Sequence, residues 1–278
     1  MAQKKKIWEA VIHGMFLILG LITVGCVLLI TVYLVISGIP AIRKIGLGAF
    51  LTGKVWESTA AQPHYGILPF ILTSVYGTAG AIVLGVPIGF LTAVYLSKVA
   101  PKGVKRALNS AVSLLAGIPS VVYGLVGMLV LVPAIRKTFH LPDGASLLAA
   151  ILVLAVMILP SIIKVSVTAL DAVPKEYEDA SLALGATPIE TYFRVSVPAA
   201  KSGIAAAVVL GIGRANAPNM PSLFESVRFL TTAVASEMSY SSGLQRQALF
   251  SIALVLYLFI MLINAALNFF LKRNKEGD

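Results

Sequence analysis

The chain has 278 residues, 58% of them hydrophobic and only 12% charged, with a mean hydropathy of +0.91. A soluble globular domain carries roughly 25% charged residues, so the composition excludes one and points to an integral membrane protein. The net charge of +10 is not a nucleic-acid patch, because Lys and Arg sit mostly at the ends of apolar runs, and Cys26 with the scattered His13, His64 and His140 gives neither an internal disulfide nor metal-ligand spacing.

Residues 1–13 carry Lys4, Lys5 and Lys6 and are expected in the cytoplasm, since lysines stay inside. The apolar run 14–37 exceeds the roughly 7–15 residues of a cleavable signal core and has no A-x-A site after it, so it reads as an uncleaved first span. Residues 39–66 read as a polar external loop. Within it, GAFLTGKV (48–55) has the glycine and lysine spacing of a phosphate-binding loop, but Val55 stands where Ser or Thr would bind Mg²⁺, and no strand–helix context surrounds it.

The second span is expected over 67–97. Gly85 and Gly89 form a small-xxx-small step that favours close helix packing. Thr73, Ser74 and Thr78 suit either a lining role or bonding back to their own helix. A basic inner loop follows, with Lys98, Lys102, Lys105 and Arg106. The third span is expected over 111–132, with the kink-forming Gly117-Ile118-Pro119-Ser120 inside it, and an external turn over 136–144. The fourth runs over 145–167, with Pro160 in it and Lys164 near its inner end.

The chain is most acidic after that span, at Glu176, Glu178, Asp179 and Glu190. Pro174 begins a helix whose early carboxylates suit its N-terminus. Gly185 ends it, Thr187-Pro188 opens a second helix, and Pro198 closes that one. Such a helical loop, at about 171–201, suits docking to a soluble partner. A loop lying on the lipid surface is the alternative, disfavoured by the acidic face. The fifth apolar run, 202–215, falls short of the roughly 17–25 residues of a spanning helix, and Arg214 lies within it. The last span, 248–271, is followed by Lys272 and Arg273 in the tail 272–278. Six crossings are expected, because five would put that basic tail outside. An arginine within a span suits an anion path, whereas a structural arginine snorkelling to the interface is the plainer alternative. The spans carry too few ionisable residues to favour a membrane enzyme.

Asp179-Ala180-Ser181, three residues, Gly185, nine residues, then Val195-Ser196-Val197-Pro198 resembles the cytoplasmic signature E-A-A-x3-G-x9-I-x-L-P of ABC importer permeases. The stretches 65–74, 116–127, 183–187 and 222–250 extend the resemblance to PstC-type permease subunits of bacterial phosphate importers, over nearly the whole chain. The resemblance implies an all-α integral membrane protein of about six transmembrane helices, with the type I (MetI-like) importer permease fold, in the bacterial inner membrane. It implies that 67–271 forms the permease domain, and that Glu178, Asp179, Ala180, Ser181, Gly185 and Pro198 belong to the segment that docks on the ATPase. With phosphate as the substrate, Arg214 is the residue expected to contact it, because a guanidinium fork suits its oxygens. The implied partners are a PstA-like sister permease, a PstB-like ATPase dimer and a PstS-like phosphate-binding protein. The chain itself would be no enzyme and would hold no cofactor. Sulfate or molybdate remains an alternative substrate.

One departure stands out. The family continues its span after G-R-A through a G-E-T, whereas here Gly213-Arg214-Ala215 runs directly into Asn216-Ala217-Pro218. About a dozen residues of the pattern, an intramembrane glutamate among them, are then absent, which matches the shortness of the fifth run. A transport-impaired subunit that acts only as a membrane docking scaffold is therefore a further alternative.

Overall fold

The computed structural model describes residues 2–212 and 228–275. Apart from one short hairpin, the described residues are built of helices. α1 (Ala2–Ile45) runs well past the expected ends of the first span. α2 (Leu47–Thr52) and the two-stranded hairpin β1 (Trp56–Glu57) and β2 (His64–Tyr65) form the segment expected to be a plain loop. Gly48 lies inside the helical turn of α2, and the backbone of Gly53 packs on Gly66 so closely that a Cβ on Gly53 would sit 2.7 Å from the Gly66 Cα. Residues 48–55 thus form a helical turn tied to the next span, with Leu68 N donating to Gly53 O at 3.1 Å.

α3 (Leu68–Val94) continues through a π-helical turn, Tyr95–Val99. α4 (Lys102–Gly117) then stops at Ile118, whose extended backbone (ψ 125) is the conformation that a following proline enforces. A new helix starts at Ser120. It comprises α5 (Ser120–Val126), a π turn at Gly127–Leu131 and α6 (Val132–Phe139). The third membrane-length helix is therefore Ser120–Phe139 rather than 111–132. Pro119 splits the apolar run that looked continuous in sequence, and α4 is left as a separate helix with Lys102, Lys105 and Arg106 in its first turns. α7 (Leu147–Asp171) follows, capped by Ser146, whose Oγ accepts from Ala149 N at 3.4 Å.

α3 and α7 pack glycine against isoleucine. A Cβ on Gly80, Gly85 or Gly89 would meet Ile151, Ile158 or Ile162 respectively, at 2.5–2.9 Å. The pairs advance together along both chains, so the helices run parallel and an odd number of crossings separates them. Ser120–Phe139 supplies that crossing. α1 packs on α13 (Gly243–Lys275) in the opposite sense: Thr31 Oγ1 meets Tyr257 OH at 2.8 Å, and Ser251 Oγ donates to Gly38 O at 2.6 Å. The end of α1 (Ala41), the start of α3 (Phe70) and the start of α13 (Ala248, Ile252) share one buried cluster with Phe50 and Tyr65. α3, α7 and α13 therefore all leave the same side of the membrane. A crossing must lie between α7 and α13, although five helices among the described residues are long and apolar enough to span. In that section lies α11 (Lys201–Ile212), whose 12 described residues make about 18 Å of helix. It packs along α7, where Gly203 lies against Ala169. The described part of this helix ends at Ile212, so the expected shortening of the fifth span falls on residues outside the described ones.

Candidate functional site

Between α7 and α11 the chain folds into a tight helical hairpin. Pro174, with φ already fixed, opens α8 (Lys175–Ala183), whose first turn holds Glu176 and Glu178. The helix closes in a Schellman arrangement: Ala186 N donates to Ser181 O at 3.3 Å and Gly185 N to Leu182 O at 3.0 Å. The turn needs φ +88 at Gly185, which a side chain resists. Thr187 then caps α9 (Pro188–Thr191) through a reciprocal box with Glu190. Thr187 N donates to Glu190 Oε2 at 3.0 Å, and Glu190 N donates to Thr187 Oγ1 at 3.3 Å. The backbone N–H of Thr187, with its hydroxyl second, holds the Glu190 carboxyl below the usual glutamate range. A π turn at Tyr192–Ser196 and the short α10 (Val197–Ala199), with Pro198 in its first turn, lead into α11. Gly185→Val is expected to lower the thermal stability of the hairpin by about 1–2 kcal/mol, read by hydrogen exchange across 175–199.

The arm that returns is fastened to the one that leaves. Ser181 Oγ lies 3.0 Å from Thr191 Oγ1, and Thr191 is almost wholly buried. Glu178 Oε1 receives Lys98 Nζ at 2.5 Å and Ser196 Oγ at 2.8 Å, and both partners of the ion pair are largely covered. Burial alone would raise the Glu178 carboxyl. The hydrogen bonds from Lys98 and Ser196, with the charges of Lys98 and Lys175, outweigh that and hold it below the usual glutamate range. A carboxylate held low contributes stability that is complete above its unfolded value, about 4.3, and is lost as pH falls through the depressed folded value. One residue before Lys98, Ser97 Oγ donates to Asp171 Oδ1 at 2.5 Å, and Lys105 Nζ lies 3.5 Å from Asp171 Oδ2.

The residues expected to dock on a partner divide in two. Asp179, Ala180, Gly185 and Pro198 are exposed, whereas Glu178 and Ser181 are half-buried and bonded inside the hairpin. Sequence reasoning did not find the apolar crown of Tyr177, Leu182, Leu184, Ile189 and Phe193, all exposed and led by Leu184 at 90%. Nor did it find Lys98 and Ser196 as partners of Glu178. Their signal was hidden because both lie in π turns, which shift the side-chain phase off the 3.6-residue period. Arg214 lies outside the described residues. On α3, Thr78 Oγ1 bonds back to Ser74 O at 2.9 Å, so that residue takes the plainer of its two expected roles. Ser74 Oγ and Ser166 Oγ are buried without a hydrogen-bond partner among the described residues.

On the opposite side of the membrane, α12 (Leu230–Glu237) ends in a buried carboxylate, 3% exposed. Glu237 receives Arg228 Nη1 at 2.6 Å, Gln245 Nε2 at 3.1 Å, Ser58 Oγ at 3.2 Å and Trp56 Nε1 at 3.3 Å. These donors come from the β-hairpin loop, the approach to α12, and α13.

Comparison with known proteins places this geometry. The model of the family described as "Binding-protein-dependent transport system inner membrane component" matches residues 85–276. The probable ABC transporter permease protein YqgH of Bacillus subtilis is 37% identical over 265 residues, covering 88% of this chain and 86% of that protein. The phosphate transport system permease protein PstC of Haemophilus influenzae is 32% identical over 268 residues, covering 84% of each. Among solved structures, the MetNI methionine ABC transporter in an inward-facing conformation matches with a TM-score of 0.55 at 20% identity, over 75% of this chain and 94% of that one. A bacterial ABC transporter that imports the acidic polysaccharide alginate matches with a TM-score of 0.58 at 16% identity, over 90% of this chain and 94% of that one. At these identities the structures show the fold, that of an ABC importer permease.

Proposed function

Because the chain belongs to the family of binding-protein-dependent transport system inner membrane components, we propose that it is the PstC-type transmembrane subunit of an ATP-driven phosphate importer in the bacterial inner membrane. The observation that carries the mechanism is the hairpin at 175–199, with its exposed apolar crown and its buried anchorage. The likeness to PstC permeases over most of the chain supports phosphate as the substrate. A PstS-like binding protein delivers the anion to the outer face, and a PstA-like sister permease completes the path. A PstB-like ATPase dimer, which carries the catalytic activity, docks on the hairpins. ATP-driven closure of that dimer switches the permease pair from inward-facing to outward-facing, and hydrolysis returns it. Arg214 offers the anion a bidentate guanidinium, which matches phosphate oxygens.

A docking-only subunit is the second reading. It is favoured by the short apolar run 202–215 and its junction with Asn216-Ala217-Pro218 in the sequence. The test is the ATPase rate of the complex reconstituted with this chain. Stimulation by phosphate-loaded but not by sulfate-loaded binding protein is expected. Stimulation by sulfate or molybdate instead assigns another oxyanion, and ATPase binding without stimulation assigns the docking role.

A further inference from the structure

We infer that Lys98, Glu178 and Ser196 form a strut that carries the movement of the docked hairpin into α3, so that Lys98 is a positioning residue for coupling. The inference rests on the functional reading above. The hairpin is covalently joined to α7 through Val173-Pro174 and to α11 through Ala200, but it has no covalent link to α3. Across that gap stands Lys98, 11% exposed in its side chain, bonded at 2.5 Å to a Glu178 that also receives Ser196 at 2.8 Å.

Both donors sit in π turns, Lys98 in Tyr95–Val99 and Ser196 in Tyr192–Ser196. Each turn carries one residue more than the α-helical period, and both donors converge on one carboxylate. Inserted turns of this kind cost helix regularity and concentrate where a side chain must be aimed. Ser97, in the same π turn as Lys98, holds the last residue of α7 through Asp171. Two adjacent side chains on α3 therefore grip both the fixed end of α7 and the movable hairpin.

α3 can pass the displacement outward. Along the membrane it is seated on α7 by the glycine–isoleucine contacts, and its far end, at Phe70, belongs to the buried cluster shared with α12 and α13. A push on the hairpin thus has a packed route to the side where the anion enters. The arrangement divides the acidic pair: Glu178 acts inside the chain, while its neighbour Asp179 is exposed to a partner.

The test uses the whole complex, with the cognate sister permease, ATPase dimer and binding protein, and inorganic phosphate as the probe. In the wild type, ATPase binding is expected to slow hydrogen exchange of the amides at 95–99 by about tenfold. In Lys98→Ala the ATPase still co-purifies, but this protection is lost and phosphate moved per ATP hydrolysed falls by about tenfold. Lys98→Glu behaves likewise, and the swap Lys98→Glu/Glu178→Lys restores both readouts, which a merely structural defect would not do. Equal protection and equal phosphate per ATP in wild type and Lys98→Ala overturn the strut, as does a swap that fails to recover. A wild type that shows the exchange response without moving phosphate overturns the substrate reading and leaves the strut standing. Absence of ATPase co-purification from the wild type overturns both.

Discussion

Leu184→Asp is expected to weaken capture of the ATPase by about 100-fold, with the chain still inserted in the membrane and the hairpin still folded. Leu184 is the most exposed large apolar side chain among the described residues and ends α8 just before the left-handed Gly185. Nothing in the fold depends on its packing, so its removal costs the chain little by itself. Burying a leucine in a partner's pocket contributes about 1.5–3 kcal/mol, and a carboxylate in that pocket adds a desolvation cost. On the proposed docking role, these two effects together account for a loss of that size. Co-purification of the ATPase with the variant, alongside Ile189→Asp, reads the effect. Retention at the wild-type level would move the docking surface away from the crown.

The second large effect is expected on the side of the membrane opposite the hairpin. Glu237→Ala should destabilise the packing of the β-hairpin loop, α12 and α13 by about 2–3 kcal/mol, seen as a lowered thermal midpoint of the purified chain in lipid. The carboxylate is nearly wholly buried and serves four donors, of which Trp56 and Gln245 would be left short of an acceptor. Arg228 is half-exposed and can rehydrate, which keeps the loss below that of a fully buried ion pair. Glu237→Gln should cost less, since its carbonyl oxygen still accepts. Equal stability of Glu237→Ala and wild type would show that the loop, α12 and α13 are held by their apolar contacts alone.

Much of this architecture is legible in the sequence because lipid makes apolar runs long and places basic residues at their inner ends. The second, fourth and last spans fall where the runs lie, and the hairpin follows from Pro174, Gly185 and Thr187-Pro188. The third span does not, because hydropathy cannot see that Ile118-Pro119 separates two helices that share one apolar run. The loop before α3 hides its helix and hairpin because α2 is one turn and each strand only two residues. Within the site, Asp179, Ala180 and Gly185 are readable from the spacing of the signature. The roles of Lys98 and Ser196 are not, since each depends on a π turn that no composition or period announces. Lys98 reads in sequence as one more inner-side charge. In the structure its ammonium is largely covered and committed to Glu178.

The measurement that bears most directly on the proposed function is ATP-dependent uptake of labelled phosphate by cells that lack their own PstC-type subunit and are supplied with this chain and its partners. Arg214→Ala serves as the control, with membrane insertion checked for both. Uptake by the wild type that is lost in Arg214→Ala is the predicted result, and it would establish a working anion path despite the short fifth apolar run. No uptake from a correctly inserted, ATPase-bound wild type would contradict an active transporter and leave a subunit that only docks.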